Sequence, residues 1–274
     1  EERGENIEDV GTTMFRPPYI PIAMGPLAGK NVGTSYSATR RSAMHDWHAE
    51  NGAVFVDAGQ WLRPQYYLRN SEENSTQNMD TAISREVVGT RSNVGMVDVS
   101  TLGKIDIQGK DAGEFLNRIY TNGWTKLPIG RARYGLMLRE DGIVFDDGTT
   151  SRLSEQHYFM TTTTSNAASV LSHMEYYLQV HWPDLDVKIA SVTEQWAAMA
   201  IAGPNSRKVL EKVLSAEDVS DEVLPFMGVK EFFINGIPAI VFRISFSGEL
   251  AYEINVAADY GEYVWNHIME KGVS

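Results

Sequence analysis

Apolar and polar side chains alternate in short stretches along most of the chain, and each stretch predicts a strand. Ile105 and Ile107 share one face of residues 104–109, which therefore read as a strand. Asp111 opens a predicted helix: Glu114 stands at capping-box spacing, and Phe115, Leu116 and Ile119 form the apolar stripe. Residues 134–138, a turn at Glu140-Asp141-Gly142, and residues 143–145 read as a hairpin. Residues 158–163 predict a further strand. Ser165 then starts a helix with Val170, Leu171, Met174, Tyr177 and Leu178 at helical spacing.

The pattern occurs twice. Ile107-Gln108-Gly109-Lys110-Asp111 precedes Phe115, Leu116 and Ile119; Ile201-Ala202-Gly203-Pro204-Asn205 precedes Val209, Leu210 and Val213 at the same offsets. The second copy continues through predicted strands at 232–234, 237–246 and 251–256, with Asn235-Gly236 as a tight turn. Two related α+β halves, each an antiparallel sheet with helices and sharing one core, are the simplest architecture. A cleft between the halves is the natural place for a ligand. Residues 1–38 differ: Arg16-Pro17-Pro18-Tyr19-Ile20-Pro21 must be extended, and Gly25, Gly29 and Gly33 follow. That segment reads as a linker or strap ahead of a domain at 39–274.

Composition narrows the function. With 274 residues, 43% of them hydrophobic, the chain holds enough apolar material for one large or two modest cores. Its apolar runs are too short to span a bilayer, and the charged Glu1–Glu5 start is no signal peptide. The absence of cysteine excludes disulfides, thiolate metal sites and thiol nucleophiles, and fits the cytoplasm. A net charge of −12 argues against nucleic acid as a partner, although Arg131 and Arg133 could form a local anion spot.

Two carboxylates are candidates for chemistry. Asp146-Asp147-Gly148 closes the predicted hairpin, and the ordinary reading of such a sequence is a turn. Alternation puts Ile143, Phe145 and Asp147 on one face; if it looks inward, Asp147 is a desolvated carboxylate suited to proton transfer or to stabilising a cation. Glu253 shares a face with Ala251 and Asn255. It is either a solvated surface glutamate or one that accepts paired N–H bonds from a heterocycle. Other signals are weaker. Residues 25–31 imitate a phosphate loop but are one residue short and lack its Ser/Thr. His45 and His48 lie a helical turn apart without a third ligand, so no metal is expected. The Asn74 sequon and the run of threonines at 161–164 have ordinary explanations.

Several motifs together resemble the glycine-cleavage T-protein (aminomethyltransferase) family: residues 41–48 and 57–61, Met96-Val97-Asp98-Val99-Ser100, Gly142-Ile143-Val144-Phe145-Asp146-Asp147, and Ser247-Gly248-Glu249 followed by Tyr252-Glu253-Ile254. Within it, the segments at 16–19, 44–48, 120–128, 191–196 and 243–253 are most similar to the folate-binding halves of the α subunits of heterotetrameric sarcosine oxidases. The resemblance implies an α+β tetrahydrofolate-binding domain that ends before a further helix, with its folate-contacting arginine, and before a C-terminal barrel. It also implies transfer of a one-carbon unit from oxidised sarcosine, an iminium, to tetrahydrofolate, giving 5,10-methylenetetrahydrofolate and glycine. Asp147 matches the aspartate near folate N10, Glu253 the glutamate at the pterin edge, and Tyr134 a pocket tyrosine. Phe246 stands where many relatives carry tyrosine, and Phe159 and Thr163 stand where the stand-alone enzyme has tyrosine and asparagine. The implied partners are a flavin-containing β subunit and smaller subunits, with FAD, FMN and NAD only elsewhere in the complex. Alternatives are the folate domain of a dimethylglycine oxidase or dehydrogenase, a stand-alone aminomethyltransferase, and a non-catalytic folate-binding or interaction module.

Overall fold

The computed structural model describes residues 40–69, 78–214 and 218–273. The strap at 1–38, the loop at 25–31 and Asn74 lie outside them. The described chain begins with α1 (His45–Glu50), the hairpin β1 (Ala53–Ala58) and β2 (Trp61–Tyr67), α2 (Asn78–Ser92) and β3 (Gly95–Asp98). The first copy of the repeat follows: β4 (Gly103–Gln108), α3 (Ala112–Ile119), β5 (Arg131–Leu138), β6 (Val144–Ser154), β7 (His157–Thr162), α4 (Ala167–Tyr176) and β8 (Lys188–Ser191). The second comprises β9 (Trp196–Ala202), α5 (Ser206–Leu214), β10 (Val229–Ile234), β11 (Ile237–Phe242), β12 (Ala251–Ala257) and α6 (Gly261–Val273).

Two five-stranded antiparallel sheets result, ordered β5-β6-β7-β4-β8 and β10-β11-β12-β9-β3. Their registers match: Tyr158 sits opposite Ile107 in one sheet as Tyr252 sits opposite Ile201 in the other. The glycine turns match too. Gly109 and Gly203 have φ of 140° and 121°, and a Cβ would meet the Asp186 carbonyl oxygen at 2.0 Å or that of Thr90 at 2.4 Å. Only glycine allows the chain to pass so close.

The edge strands are exchanged. β3 precedes β4 in the chain yet pairs with β9, while β8 precedes β9 yet pairs with β4. A hydroxyl seals each exchange. Ser100 Oγ accepts from Ala198 N at 2.9 Å and donates to its carbonyl at 3.2 Å; Thr193 Oγ1 accepts from Lys104 N at 3.0 Å and donates to the Lys104 carbonyl at 3.4 Å.

Apolar faces set the layers. Ile105, Ile107, Tyr158 and Met160 pack on Phe115 and Leu116 of α3 and on Val170 and Met174 of α4. Met199, Ile201, Tyr252 and Ile254 pack on Val209 and Leu210 of α5 and on Val264 and Trp265 of α6. Between the sheets, Ala132, Phe159, Val229, Ile240, Phe242 and Ile244 form an inner core, with the Phe159 ring 5.9 Å from Phe242 and 5.8 Å from Trp196. Each such large side chain contributes about 1.5–3 kcal/mol by leaving water. The layers run helix, sheet, sheet, helix, with no closed barrel among the described residues.

Some local expectations are corrected. Asp111 does not cap α3: its Oδ2 accepts from Asp186 N at 2.9 Å, and Glu114 pairs with Arg118 instead. The strand predicted at 237–246 ends at Phe242, because Arg243 turns to Asp221 Oδ1 (2.6 Å) and the Leu224 carbonyl (3.1 Å). β6 runs on to Ser154, so Asp146-Asp147-Gly148 lies inside a strand and is neither its end nor a turn.

A buried polar cluster ties the 40–69 segment to β3. Asp98 Oδ2 accepts from Ser42 Oγ at 2.5 Å and from His48 Nε2 at 3.0 Å, and Oδ1 accepts from Ser100 N at 2.8 Å. His48 Nδ1 then accepts from the Tyr67 hydroxyl at 2.8 Å, so neither ring nitrogen is left for a metal. Burial alone would raise the Asp98 carboxyl, but the His48, Ser42 and Ser100 donors outweigh it and hold the carboxyl below its ordinary value. Replacing Asp98 by Ala leaves all these donors unpaired, with an expected loss of about 3–5 kcal/mol in urea denaturation. Because the folded-state value is depressed, the Asp98 contribution is complete above the ordinary carboxylate value and fades as pH falls through the folded one. The gap between wild type and Asp98→Ala should therefore close in strong acid.

Candidate functional site

The two halves of the Asp146-Asp147 pair have separate fates, and a bulge separates them. In the β5–β6 ladder Met137 faces Asp146 but Leu138 faces Val144, so Phe145 is the extra residue. Regular alternation would put Phe145 and Asp147 on one face. The bulge instead turns Phe145 and Asp146 together toward α4, where Phe145 lies 4.8 Å from His173, ring to ring. Asp146 is buried and accepts from Thr163 N at 3.2 Å and Asn166 Nδ2 at 3.3 Å. Burial raises its carboxyl above the ordinary range; those donors and the neighbouring Asp147 modify the shift.

Asp147 stands on the opposite face of β6, exposed to solvent. The expected desolvated carboxylate is thus Asp146, while Asp147 is available to an incoming molecule. Tyr134, one strand away, donates its hydroxyl to Asp147 Oδ2 at 2.9 Å, and this bond is the first cause holding the phenol above its usual value. Gly148 allows β6 to close on β7 beside them, since a Cβ there would lie 2.0 Å from the Thr161 carbonyl oxygen.

Register extends this face across the sheet. Leu136–Asp147, Tyr134–Thr149 and Ala132–Ser151 are partners in β5–β6, and Ala132 belongs to the inner core. The Thr149 and Thr161 hydroxyls lie 2.9 Å apart, and Thr161 is opposite Lys104 on β4. A polar row of Asp147, Tyr134, Thr149, Thr161 and Lys104 therefore lines the first sheet where it faces the second.

The second sheet answers with Glu253 and Asn255. Glu253 is opposite Phe242, and Asn255 opposite Ile240, both inner-core residues. Desolvation raises the Glu253 carboxyl to about 7, against the opposing pull of Lys104. Asn255 is buried, and its Oδ1 has no hydrogen-bond partner among the described residues.

The remaining sequence candidates fall outside this row. Phe246 lies on the loop after β11, its side chain fully exposed and against no described ring. Phe159 is buried in the inner core, and Thr163 gives its backbone N–H to Asp146. Arg131 and Arg133 form no shared anion spot: Arg131 donates to the Phe226 carbonyl at 2.9 Å and Arg133 to the Gly123 carbonyl. Two surface hollows, of about 200 Å³ beside Asn205 and Lys208 and about 530 Å³ beside Glu140, His173 and Tyr176, also lie away from the row. Sequence reasoning singled out neither Lys104 as a member of the row nor Asp146 as the buried carboxylate of the pair. The signal for Lys104 was present, since alternation with Ile105 and Ile107 already set it on the face opposite the helix-packed one.

Paired antiparallel sheets with helices outside and carboxylates on the facing inner surfaces define an aminomethyltransferase-like fold. The chain belongs to the GCVT N-terminal domain family, whose profile matches residues 44–274. It is 51% identical over 272 residues to sarcosine oxidase subunit alpha of Rhizobium meliloti (strain 1021), covering 98% of this chain and 27% of that protein. The corresponding subunit of Corynebacterium sp. (strain U-96) is 50% identical over 269 residues, again with 98% and 27% covered. The chain thus spans about a quarter of the length of these relatives. The aminomethyltransferase of Thermotoga neapolitana is 28% identical over 231 residues, 84% of this chain and 58% of that one. Among solved structures, aminomethyltransferase T of the Bartonella henselae glycine cleavage system matches with a TM-score of 0.70 at 21% identity, covering 84% of this chain and 57% of that one. The heterotetrameric sarcosine oxidase of Corynebacterium sp. U-96 matches with a TM-score of 0.52 at 13% identity, covering 73% and 95%.

The split roles of the aspartate pair give a stability test. Asp146→Ala strands the Thr163 N–H and leaves the Asn166 amide only its bond to the Phe145 carbonyl, with an expected cost of about 1–3 kcal/mol. Asp147→Ala removes an exposed carboxylate and should stay within about 0.5 kcal/mol of wild type. Urea denaturation of both variants separates the two; equal losses would contradict the assignment.

Proposed function

We propose that this chain is the folate-binding region of a sarcosine oxidase alpha subunit, receiving the one-carbon unit of oxidised sarcosine on tetrahydrofolate to give 5,10-methylenetetrahydrofolate and glycine. Residues 39–274 form its aminomethyltransferase-like domain, and residues 1–38 serve as a strap leading into it. The observation that carries this reading is the bulge at Phe145. It detaches Asp147 from its buried neighbour and presents it, bonded to Tyr134, on the Ala132 face of the first sheet, as Glu253 stands on the Phe242 face of the second. Identity of 51% to a sarcosine oxidase alpha subunit supports the choice of substrate system.

The residues fit a reduced folate. Its aminopyrimidine edge is rich in N–H groups, and the second sheet offers acceptors without donors: the Glu253 carboxylate and the unpartnered Asn255 Oδ1. When bound, tetrahydrofolate supplies the nucleophilic nitrogens that take up the carbon. Glu253 holds the pterin edge, and Tyr134 lines the pocket while orienting Asp147. With Oδ2 engaged by the Tyr134 hydroxyl, Asp147 Oδ1 is left to hold the proton at N10 and to stabilise the cationic iminium. Phe246, fully exposed on its loop outside the row, is the aromatic ring this reading assigns to stacking on the pterin. Oxidation of the amine falls to a flavin-containing β subunit, with FAD, FMN and NAD held elsewhere in a cytoplasmic heterotetramer.

In the assembled full-length enzyme, Asp147→Asn should leave sarcosine oxidation and melting temperature unchanged while folate-trapped product falls by about 10²-fold or more. Unchanged methylenetetrahydrofolate yield would sink the assignment. Glu253→Gln should weaken calorimetric binding of 5-formyltetrahydrofolate by about tenfold or more, the worth of one hydrogen bond to a charged group.

A further inference from the structure

Lys104 is the only buried lysine among the described residues. Its Nζ donates to the Ser100 carbonyl at 2.9 Å and the Leu102 carbonyl at 3.0 Å, both in the turn between the exchanged strand β3 and β4. Those bonds hold the ammonium still but do not neutralise it, and no described carboxylate lies within ion-pair distance. The charge therefore acts through space, across the gap that Phe159 and Phe242 set between the sheets. Three carboxylates feel it: Glu253 first, then Asp98 and Glu194. Asp98 already has three donors, and Glu194 is paired with Arg40. Asp106, the next inward residue on β4, is bonded to His157 and Gln108. Glu253 accepts no hydrogen bond from a described residue. Its flanking strand partners, Ala200 and Phe242, carry no charge.

We propose that Lys104 is a positioning residue: its ammonium favours the ionised form of Glu253, and so raises the share of that carboxylate able to accept paired N–H bonds from the heterocyclic edge of a reduced folate. This rests on the reduced-folate reading of the site. Physically, a carboxylate desolvated between two sheets reverts to the neutral acid unless a positive charge opposes burial, and the neutral acid is a poorer acceptor for two N–H groups. Burial draws Lys104 itself down to about 8, with Glu253 opposing, so the ammonium persists at neutral pH where Glu253, at about 7, is changing state. Binding to the carboxylate therefore strengthens as pH rises through about 7.

The test uses the full chain with 13C-carboxyl-labelled glutamate, the Glu253 signal being assigned by its loss in Glu253→Gln. Lys104→Met should raise the Glu253 titration midpoint by about one pH unit or more, the usual effect of removing a nearby opposite charge. Calorimetry with 5-formyltetrahydrofolate should find the affinity of Lys104→Met at pH 7 reduced about fivefold or more, because moving a midpoint of about 7 up by one unit cuts the ionised fraction at pH 7 from about a half to about a tenth. That affinity should return toward wild type by pH 9, and Glu253→Gln should show no such pH dependence. An unmoved Glu253 midpoint, or a loss of affinity that does not recover at pH 9, would overturn the proposal. If Lys104→Met does not fold, the reciprocal measurement decides: the 15N titration of Lys104 must shift to lower pH in Glu253→Gln, and an unshifted midpoint refutes the coupling. A midpoint that moves as expected in a protein with no affinity for reduced folate at any pH would uphold the coupling and remove the folate reading alone.

Discussion

The exchange of edge strands is the constraint on which the rest of the molecule depends. Because β3 completes the sheet of the second half and β8 that of the first, neither half can close its sheet alone. The exchanges fix where β4 and β9 begin, since Ser100 and Thr193 each seal the opening backbone of the other half's strand next to the exchanged edge. They also fix how the sheets face each other, and hence the inner surfaces on which Asp147, Lys104 and Glu253 stand. Backbone crossing leaves room only for glycine at Gly109 and Gly203, which is why the repeat is visible in the chain at those two points.

Near-symmetry makes the differences informative. Phe159 and Glu253 follow Tyr158 and Tyr252, whose registers are equivalent, so the two residues occupy matching places on the inner faces. One half uses the place for an aromatic ring that joins the sheets; the other uses it for a carboxylate. Lys104 and Ala198 are likewise matched by their hydroxyl seals, and again one half has the charge and the other a methyl group. The duplicated scaffold supplies apolar contacts that hold the sheets together on one side and charged groups on the other. A fully symmetric inner face would have been either all core or all charge.

The repeat, the helix stripes and the hairpin turns were legible in the sequence because each is a local consequence of period or of backbone sterics. Phe115, Leu116, Val209 and Leu210 fall where helical spacing put them, and Asn235-Gly236 turns with φ of 50° and 83°. Tertiary competition was not legible. Asp111 is drawn from its cap by the Asp186 N–H, which is 75 residues away in the chain. The bulge at Phe145 depends on how β5 meets β6, so strict alternation assigned the aspartate pair to the wrong faces. The family resemblance and the alternation both pointed to Asp147, but alternation expected a desolvated carboxylate, whereas the bulge leaves Asp147 exposed.

The cost of such a site lies in the charges between the sheets. Glu253 is raised in the folded state, so ionising it between its ordinary value and about 7 weakens folding as pH rises. Lys104 is lowered, so folding regains stability only as pH rises through about 8 and the ammonium is discharged. Both groups are thus least comfortable near neutral pH, and hydrophobic residues of similar volume would suit the fold at least as well. An unpartnered Asn255 Oδ1 beside them adds to that cost. The inner core around Phe159 and Phe242 and the two strand exchanges offset it, because they join the sheets through contacts outside the polar row. Separating cohesion from chemistry in this way lets a carboxylate and an ammonium remain face to face without collapsing into an ion pair, and leaves the carboxylate oxygens free for an incoming donor.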